Sequence, residues 1–251
     1  MSPLSRRTLL TAGLALAGTS VIAAAATLGR RLGLVPPDAA GFYGPGETLT
    51  YAAHRLVGRH SMAREFPRQM ISAKPFANSV RRRDEAFLRH QAAGFVTWRL
   101  AVDGLVARPA SLSVADLRAM PVSRQITELS CEEGWSYVAE WIGAPLAAVL
   151  DTVGVAPQAR YVLYQSHDDN AWDSIDLDEA RHPQTLVAWG MNGGELPVPF
   201  GGPLRMRLPR QLGYKSTKYI NRLVVTDSLD GFGTGKGSAD AEAGYSWYAG
   251  I

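Results

Sequence analysis

Short segments of alternating apolar and polar residues, separated by turn signals, dominate the chain from Gly94 onward. Residues 95–102 alternate as a half-buried strand does, and Asp103-Gly104 follows as a turn. Helical patterns are few and short, and the clearest covers residues 114–120, with Ser113 as the predicted N-cap. This pattern predicts a mixed α+β domain with a mostly antiparallel sheet. Further strands are predicted at residues 124–130, 161–166, 174–177, 185–191, 204–208 and 219–226, and further helices at 145–153 and 178–181.

The charge distribution changes along the chain. Residues 1–100 carry 14 Lys and Arg against 5 Asp and Glu, whereas the rest carry 12 against 18. A basic front half beside an apolar N-terminus favours contact with an anionic membrane surface over binding of nucleic acid. Since the sequence has neither zinc-finger spacing nor an RNP-type motif, we predict no nucleic-acid partner.

Residues 1–30 have the pattern of an export segment. Ser5-Arg6-Arg7-Thr8-Leu9-Leu10 matches a twin-arginine signal and leads into an apolar, Ala- and Gly-rich run over residues 9–29. An uncleaved membrane anchor is the alternative, because about 20 residues suffice to cross a bilayer. We therefore predict a periplasmic protein, or a membrane-anchored one facing the periplasm, exported by the twin-arginine route.

The only cysteine, Cys131, lies at the end of a predicted strand and is followed by a polar turn over residues 132–135. A single cysteine excludes an intramolecular disulfide and an iron–sulfur cluster held by this chain, and no C-x-x-C-H haem motif is present. The residue itself leaves three interpretations open: an inert buried thiol, a nucleophile, or a soft metal ligand. His182, which precedes Pro183, is interpreted as structural and not as a base for Cys131.

A series of short motifs surrounds and follows Cys131, between Gly94 and Asp227. They are Cys131-Glu132, GWS at 134–136, WIGAPL at 141–146, SIDL at 174–177, ARHP at 180–183, MNG at 191–193, GPLR at 202–205 and GYKSTK at 213–218. In this order they resemble the molybdopterin-binding domain of the sulfite oxidase family, closest to the bacterial branch with the periplasmic methionine-sulfoxide reductase catalytic subunit. The resemblance implies a sulfite-oxidase-type fold for residues 94–251, over which the Arg-rich residues 31–93 wrap.

The resemblance also implies a cofactor site. Cys131 would ligate molybdenum through its thiolate, beside the dithiolene sulfurs of a molybdopterin. The chain has 22 Arg and only four Lys, and the occurrence of two Lys within residues 213–218 supports this segment as a binder of the cofactor's phosphate. The predicted cofactor-binding residues are Cys131, Ser166, His167, Arg205, Lys215, Ser216, Thr217, Lys218 and, from the wrapping segment, Asn78.

Two departures from the family bear on the substrate. Phe200 occupies the position before Gly201 where relatives usually place His or Asn on the cofactor. Glu132 and Glu133 follow Cys131, and their charge would repel the dianion that true sulfite oxidases hold with arginines. We therefore predict a molybdopterin-dependent oxidoreductase that reduces a small neutral S-oxide or N-oxide by oxygen-atom transfer. Its electrons would come from an integral membrane haem protein or a quinol-oxidising subunit.

Three alternatives stay open at this point. The first is oxidation of a small substrate in the manner of sulfite oxidase. The second is a thiol enzyme that uses Cys131 as its nucleophile. The third is an envelope binding protein that has lost the cofactor. Phe200 keeps this alternative open, because it departs from the residues that relatives place on the cofactor.

Overall fold

The computed structural model describes residues 27–29, 32–41, 44–78, 84–167 and 171–251. The predicted export segment therefore lies almost wholly outside the described residues. Within the ranges that are described, no helix has the length and apolar character needed to cross a membrane.

The chain divides into two compact units, Met1–Gly58 and Arg59–Ile251. The first unit contains helix α1 (Gly44–Val57), in which Tyr51 and Arg55 are both buried and share one face because they are four residues apart. The described part of the second unit has five short helices: α2 (Glu85–Ala92), α3 (Val114–Ala119), α4 (Leu146–Val153), α5 (Leu177–Ala180) and α6 (Ala239–Glu242). Its strands are β1 (Arg99–Gly104), β2 (Ala110–Ser113), β3 (Ser123–Ser130), β4 (Ser136–Pro145), β5 (Tyr161–Ser166), β6 (Trp172–Asp176), β7 (Leu186–Met191), β8 (Gly194–Glu195), β9 (Arg205–Arg207) and β10 (Ile220–Thr226).

These strands form two sheets. The first has the order β2-β1-β10-β5-β6, in which β1 and β10 run parallel and the other neighbours antiparallel. The second has the order β3-β4-β7-β8, with β9 also paired to β7, and all of its pairs are antiparallel. The predicted fold class, a mixed and mostly antiparallel α+β domain with short helices, is confirmed.

One hydrophobic core contains side chains from both sheets and from α4. Leu100 comes from the first sheet and Val187 from the second, and both are fully buried. Helix α4 adds Leu146, Val149 and Leu150, whose spacing of three and four residues places them on one face. Burial of each such side chain contributes about 1.5–3 kcal/mol. This core fixes the sheets against each other, and with them the strand ends that carry the site.

Several predicted elements are found at or near their predicted bounds. Strand β5 covers residues 161–166, as predicted. Ser113 caps α3 in a full capping box with Asp116. The predicted hairpin turn joins β7 to β8, with positive φ angles of 52° at Asn192 and 83° at Gly193. These features depend on local chemistry, which is why the sequence reveals them.

The predicted strand over residues 95–102 is wrong in its first half. Helix α2 ends in a turn, in which Phe95 has a φ of 58° and donates its amide to the His90 carbonyl at 2.8 Å. The Phe95 ring packs edge-to-face on Phe87 and Trp98. This aromatic packing overrides the alternating pattern, and β1 begins only at Arg99.

Candidate functional site at Cys131

Cys131 lies in the tight turn that connects the antiparallel strands β3 and β4. Its amide donates to the Trp135 carbonyl at 2.9 Å. Gly134, with a φ of 87° that suits glycine, donates its amide to the Cys131 carbonyl at 3.1 Å. The predicted polar turn is confirmed, and it holds Cys131 in the wall of a cavity of about 170 Å³.

Six of the predicted site residues, from separate parts of the chain, line this one cavity: Cys131, Arg205, Ser216, Thr217, Lys218 and Asn78. A glycine brings two of these parts together. A Cβ at Gly213 would lie 3.0 Å from Leu129 Cδ2 and 3.2 Å from the Ser130 carbonyl oxygen. The absence of a side chain at this position therefore lets the 213–218 segment approach the end of β3 closely.

The Cys131 thiol is a protonated, acid-flanked group in the metal-free protein. Cys131 is 8% exposed, and its Sγ donates to the Glu132 carboxylate at 3.2 Å, with Glu133 at 3.8 Å. Burial, with a smaller contribution from Glu132, raises the pKa of Cys131 to about 12. Such a thiol is a poor nucleophile at neutral pH, whereas coordination to a soft metal ion would deprotonate it.

Arg205, on β9, is a buried cation in the wall of the cavity. Its Nη1 donates to the Phe200 carbonyl at 2.8 Å and its Nη2 to the Ser216 carbonyl at 2.7 Å. The guanidinium lies 5.0 Å from the centroid of the Trp141 ring. Burial lowers the pKa of Arg205, but an arginine stays charged at neutral pH. Its neutral acceptors fix its position without compensating its charge.

Lys218 connects three segments that surround the cavity. Its Nζ donates to the Asn78 carbonyl at 2.6 Å and to the Pro199 carbonyl at 2.9 Å. Gly201, with a φ of 104°, permits this arrangement, because a Cβ there would lie 2.8 Å from Lys218 Cγ. Asn78 thus takes part through its backbone, and Phe200 offers a carbonyl and a ring where a polar side chain was expected.

Lys215 does not line the cavity, although it belongs to the same predicted set. Its side chain is fully buried, and its ammonium pairs with the Asp173 carboxylate. The ammonium also donates to the Ser174 carbonyl at 3.0 Å and lies 5.3 Å from the centroid of the Trp247 ring. The structure therefore places its charge inside the protein, where a protein carboxylate balances it.

Ser166 and His167 also lie outside the cavity lining. Ser166 is fully buried, and its hydroxyl has no hydrogen-bond partner among the residues that the structure describes. His167 Nε2 lies 3.3 Å from the Asp84 carboxylate, and its ring lies 5.2 Å from that of Trp98. Contacts of these two residues with the cofactor stay predictions.

Four aromatic side chains also line the cavity, and the sequence singled out only Phe200 among them. We call Phe76, Trp135, Tyr137 and Phe200 the aromatic wall. Phe76 meets Trp135 edge-on at 5.0 Å, Trp135 stacks on Tyr137 at 6.0 Å, and Tyr137 meets Phe200 edge-on at 5.8 Å. The two-residue spacing of Trp135 and Tyr137 was an available signal, since it places both on one side of a strand. Phe76 lies in an irregular segment and gave no signal.

The chain matches the family described as oxidoreductase molybdopterin binding domain over residues 89–231. It is 36% identical over 195 residues to a putative protein-methionine-sulfoxide reductase subunit YedZ1 of Azospira oryzae, covering 78% of this chain and 70% of that protein. It is 35% identical over 145 residues to the protein-methionine-sulfoxide reductase catalytic subunit MsrP of Ralstonia nicotianae, covering 52% of this chain and 44% of the relative. The chain therefore spans less than half the length of this second relative.

The fold has a counterpart among solved structures. The sulfane dehydrogenase SoxCD from Paracoccus pantotrophus matches with a TM-score of 0.50 at 22% sequence identity. The match covers 53% of this chain and 39% of that chain. At this level of identity the likeness concerns the fold alone.

Proposed function

Because the chain belongs to the oxidoreductase molybdopterin binding domain family and is a molybdopterin-dependent oxidoreductase, we propose that it reduces a neutral S-oxide or N-oxide by oxygen-atom transfer. A sulfoxide is the favoured member of this class, since two relatives carry the name of methionine-sulfoxide reductase subunits. The observation that carries the proposal is that one cavity is lined by the Cys131 thiol, by the cations Arg205 and Lys218 and by aromatic rings. The carboxylates of Glu132 and Glu133 accept hydrogen bonds from the same thiol.

The residues present fit an anionic cofactor that ends in a phosphate. Cys131 would supply the single thiolate ligand to molybdenum. Arg205 and Lys218 would face the phosphate, with the hydroxyls of Ser216 and Thr217 beside them. Arg205 is buried and has only neutral acceptors among the described residues, which supports this assignment, because such a charge is unfavourable until an anion balances it. When bound, the cofactor supplies the two-electron chemistry of the reaction.

The carboxylates beside Cys131 select against anionic substrates. Glu133 is held in place because Trp135 Nε1 donates to its carboxylate at 2.7 Å. Two like charges about 4 Å apart repel by about 4 kcal/mol at the effective dielectric constant of a protein surface. A sulfite dianion that approaches this end of the cavity meets that penalty, whereas a neutral oxide does not.

The aromatic wall gives a neutral sulfur compound a favourable surface. Sulfur in contact with an aromatic ring gains about 0.3–1.5 kcal/mol. Reduction of a sulfoxide consumes two electrons and two protons, breaks the S–O bond, and releases a thioether and water. Both the substrate and the product are neutral, so neither is repelled by Glu132 or Glu133.

The source of electrons and the location form part of the same proposal. We infer that a membrane haem or quinol-oxidising subunit donates the electrons, because a relative is named as the catalytic subunit of a reductase. The Ser5–Leu10 twin-arginine pattern supports export of the folded protein to the periplasm. A functional fusion of residues 1–30 to a reporter that requires twin-arginine export would test this location.

The geometry opposes the alternative in which Cys131 acts as a nucleophile. Activation of a thiol needs a neighbouring base or cation that stabilises its thiolate. Here burial and Glu132 raise the pKa of Cys131 instead. Hydrolytic chemistry at this thiol is therefore disfavoured.

The test uses the full chain purified from a host that synthesises molybdopterin. We expect near-stoichiometric molybdenum and reduction of methionine sulfoxide with a reduced viologen dye as electron donor. Cys131→Ser should lose the sulfoxide reduction, and Glu128→Gln, which changes a carboxylate outside the cavity lining, serves as the matched control. Sulfite oxidation without sulfoxide reduction by the loaded wild-type protein would overturn the proposal, as would retention of full activity by Cys131→Ser.

A further inference from the structure

Arg207 is a fully buried cation whose hydrogen-bonding capacity is only partly used. It lies on β9, and its Nη2 donates to Thr127 Oγ1 at 3.0 Å and to the Glu128 carbonyl at 2.5 Å. Its Nε and Nη1 are buried and have no partner among the described residues. A buried guanidinium in this state is unusual, because buried charges are normally both paired and hydrogen-bonded.

Arg207 shares a face of β9 with Arg205, the cation that lines the cavity. The two residues are separated by one position on the strand, so their side chains leave it on the same side. Both guanidinium groups pack on the Trp141 ring, at 5.0 Å for Arg205 and 5.2 Å for Arg207. Burial, followed by repulsion from Arg205, lowers the pKa of Arg207 to about 9. The group therefore still carries its charge at neutral pH.

Two other buried cations of the same unit have counter-ions. Arg210 Nη1 lies 3.6 Å from a carboxylate oxygen of Glu179, and Lys215 pairs with Asp173. Within the described ranges, the ion pairs include no carboxylate for Arg205 or Arg207. Two neighbouring arginines are thus buried without a carboxylate partner in the part of the chain that the structure describes, and one of them, Arg205, lines the cavity.

We propose that Arg207 is a positioning residue of the cofactor site. Its positive charge adds to that of Arg205, and the anionic cofactor compensates both charges. This inference rests on the proposed function, because it requires that the cavity holds an anion. Arg207 touches neither substrate nor reacting atoms. The charge of Arg207 raises the positive electrostatic potential around Arg205. Without a bound anion, these two buried like charges destabilise the folded protein. The arrangement predicts opposite effects of one substitution on the two states of the protein.

The test compares Arg207→Met with Arg210→Met in the full chain. Each variant is prepared from a host that synthesises molybdopterin and from one that does not. Arg210 is the matched control, because it is also a buried arginine but lies 3.6 Å from a carboxylate oxygen, that of Glu179. The measurements are the thermal midpoint of cofactor-free protein and the pterin retained after dialysis of the loaded protein.

We expect Arg207→Met to raise the thermal midpoint of the cofactor-free protein by about 2–4 °C and Arg210→Met to lower it. Arg207→Met also loses two hydrogen bonds to neutral oxygens, which offsets only part of the gain in stability. We also expect Arg207→Met to retain the cofactor about tenfold less tightly than wild type. Arg207→Lys, which keeps the charge, should restore retention.

Two results would overturn the inference while leaving the proposed function intact. One is a thermal midpoint that falls in cofactor-free Arg207→Met as it does in Arg210→Met. The other is wild-type retention of the pterin by Arg207→Met. If the wild-type chain itself takes up no pterin in a competent host, the proposed function fails, and the inference fails with it.

Discussion

Lys215 and Arg207 are both fully buried cations of the same unit, and they differ in what balances them. Lys215 has the carboxylate of Asp173, which comes from β6. Arg207 has two neutral oxygens and a partly unused guanidinium. The charge of a buried cation with its own counter-ion is compensated within the fold, whereas a buried cation without one depends on a charge from outside the chain. The pairing state therefore separates structural cations from those that serve the site.

The largest expected effect comes from breaking the balanced pair. Lys215→Met leaves Asp173 buried without its cation, and we expect a loss of about 3–5 kcal/mol in the free energy of unfolding. Urea denaturation of the purified variant measures it. The double variant Lys215→Met/Asp173→Asn, which removes both charges, should recover most of the loss. A single variant as stable as wild type would contradict the view that Lys215 is structural.

The pH dependence of Lys215→Met sharpens this test. Burial already raises the pKa of Asp173 to about 7, and removal of Lys215 takes away the main influence that lowers it. A carboxyl group whose pKa is higher in the folded state binds a proton more tightly there. Its contribution to stability is therefore greatest below the unfolded-state pKa of 3.8 and is lost as pH rises through the folded-state pKa. We therefore expect the variant to be less destabilised at pH 5 than at pH 8. An equal loss at both values would contradict this account.

The next effect concerns Arg205, a buried arginine with only neutral acceptors among the described residues. Arg205→Lys keeps a positive charge but loses the planar group that bonds Phe200 and Ser216 at once. Without these two bonds the remaining positive charge is no longer held in a fixed position at the cavity wall, so we expect cofactor retention to weaken by about tenfold. Pterin content after dialysis measures it. Unchanged retention would show that a point charge suffices at this position.

A smaller effect concerns the Cys131 thiol. With a pKa of about 12 in place of 9.0, Cys131 in cofactor-free protein should react with iodoacetamide about thirtyfold more slowly at pH 8 than a free thiol does. The scarcity of thiolate outweighs its higher nucleophilicity. The rate should rise steadily with pH up to about 12. A rate equal to that of N-acetylcysteine at pH 8 would contradict this account, because it would mean that burial does not keep the thiol protonated.

The smallest effect is expected for an exposed ion pair, which serves as a reference for the buried ion pairs. Arg118 lies 2.9 Å from Glu195, and their side chains are 45% and 82% exposed. Water and salt screen such a pair. We expect Glu195→Gln to change the thermal midpoint by less than about 4 °C. Calorimetry measures the midpoint. A larger change would show that the presence of a counter-ion does not by itself separate structural cations from those of the cofactor site.

Much of the fold was predictable because it depends on short-range chemistry. The capping box at Ser113, the turn at Asn192 and the alternation of β5 each involve neighbouring residues. The turn at Phe95 was not predictable, because its cause is an aromatic cluster assembled from separate segments. The family motifs pointed to Cys131, Arg205 and Lys218, and the structure brings these three to one cavity.

The sequence by itself determined the α+β class, the family and the lone thiol at a strand end, since periodicity and motif order can be read without a third dimension. Only the tertiary structure decided that Lys218 lines the cavity while Lys215, three residues earlier, is buried against Asp173. It alone assembled the aromatic wall and left Arg207 without a counter-ion among the described residues. The reason is physical: the balance of a buried charge depends on which distant groups the fold brings within a few ångströms, and no local pattern encodes that distance.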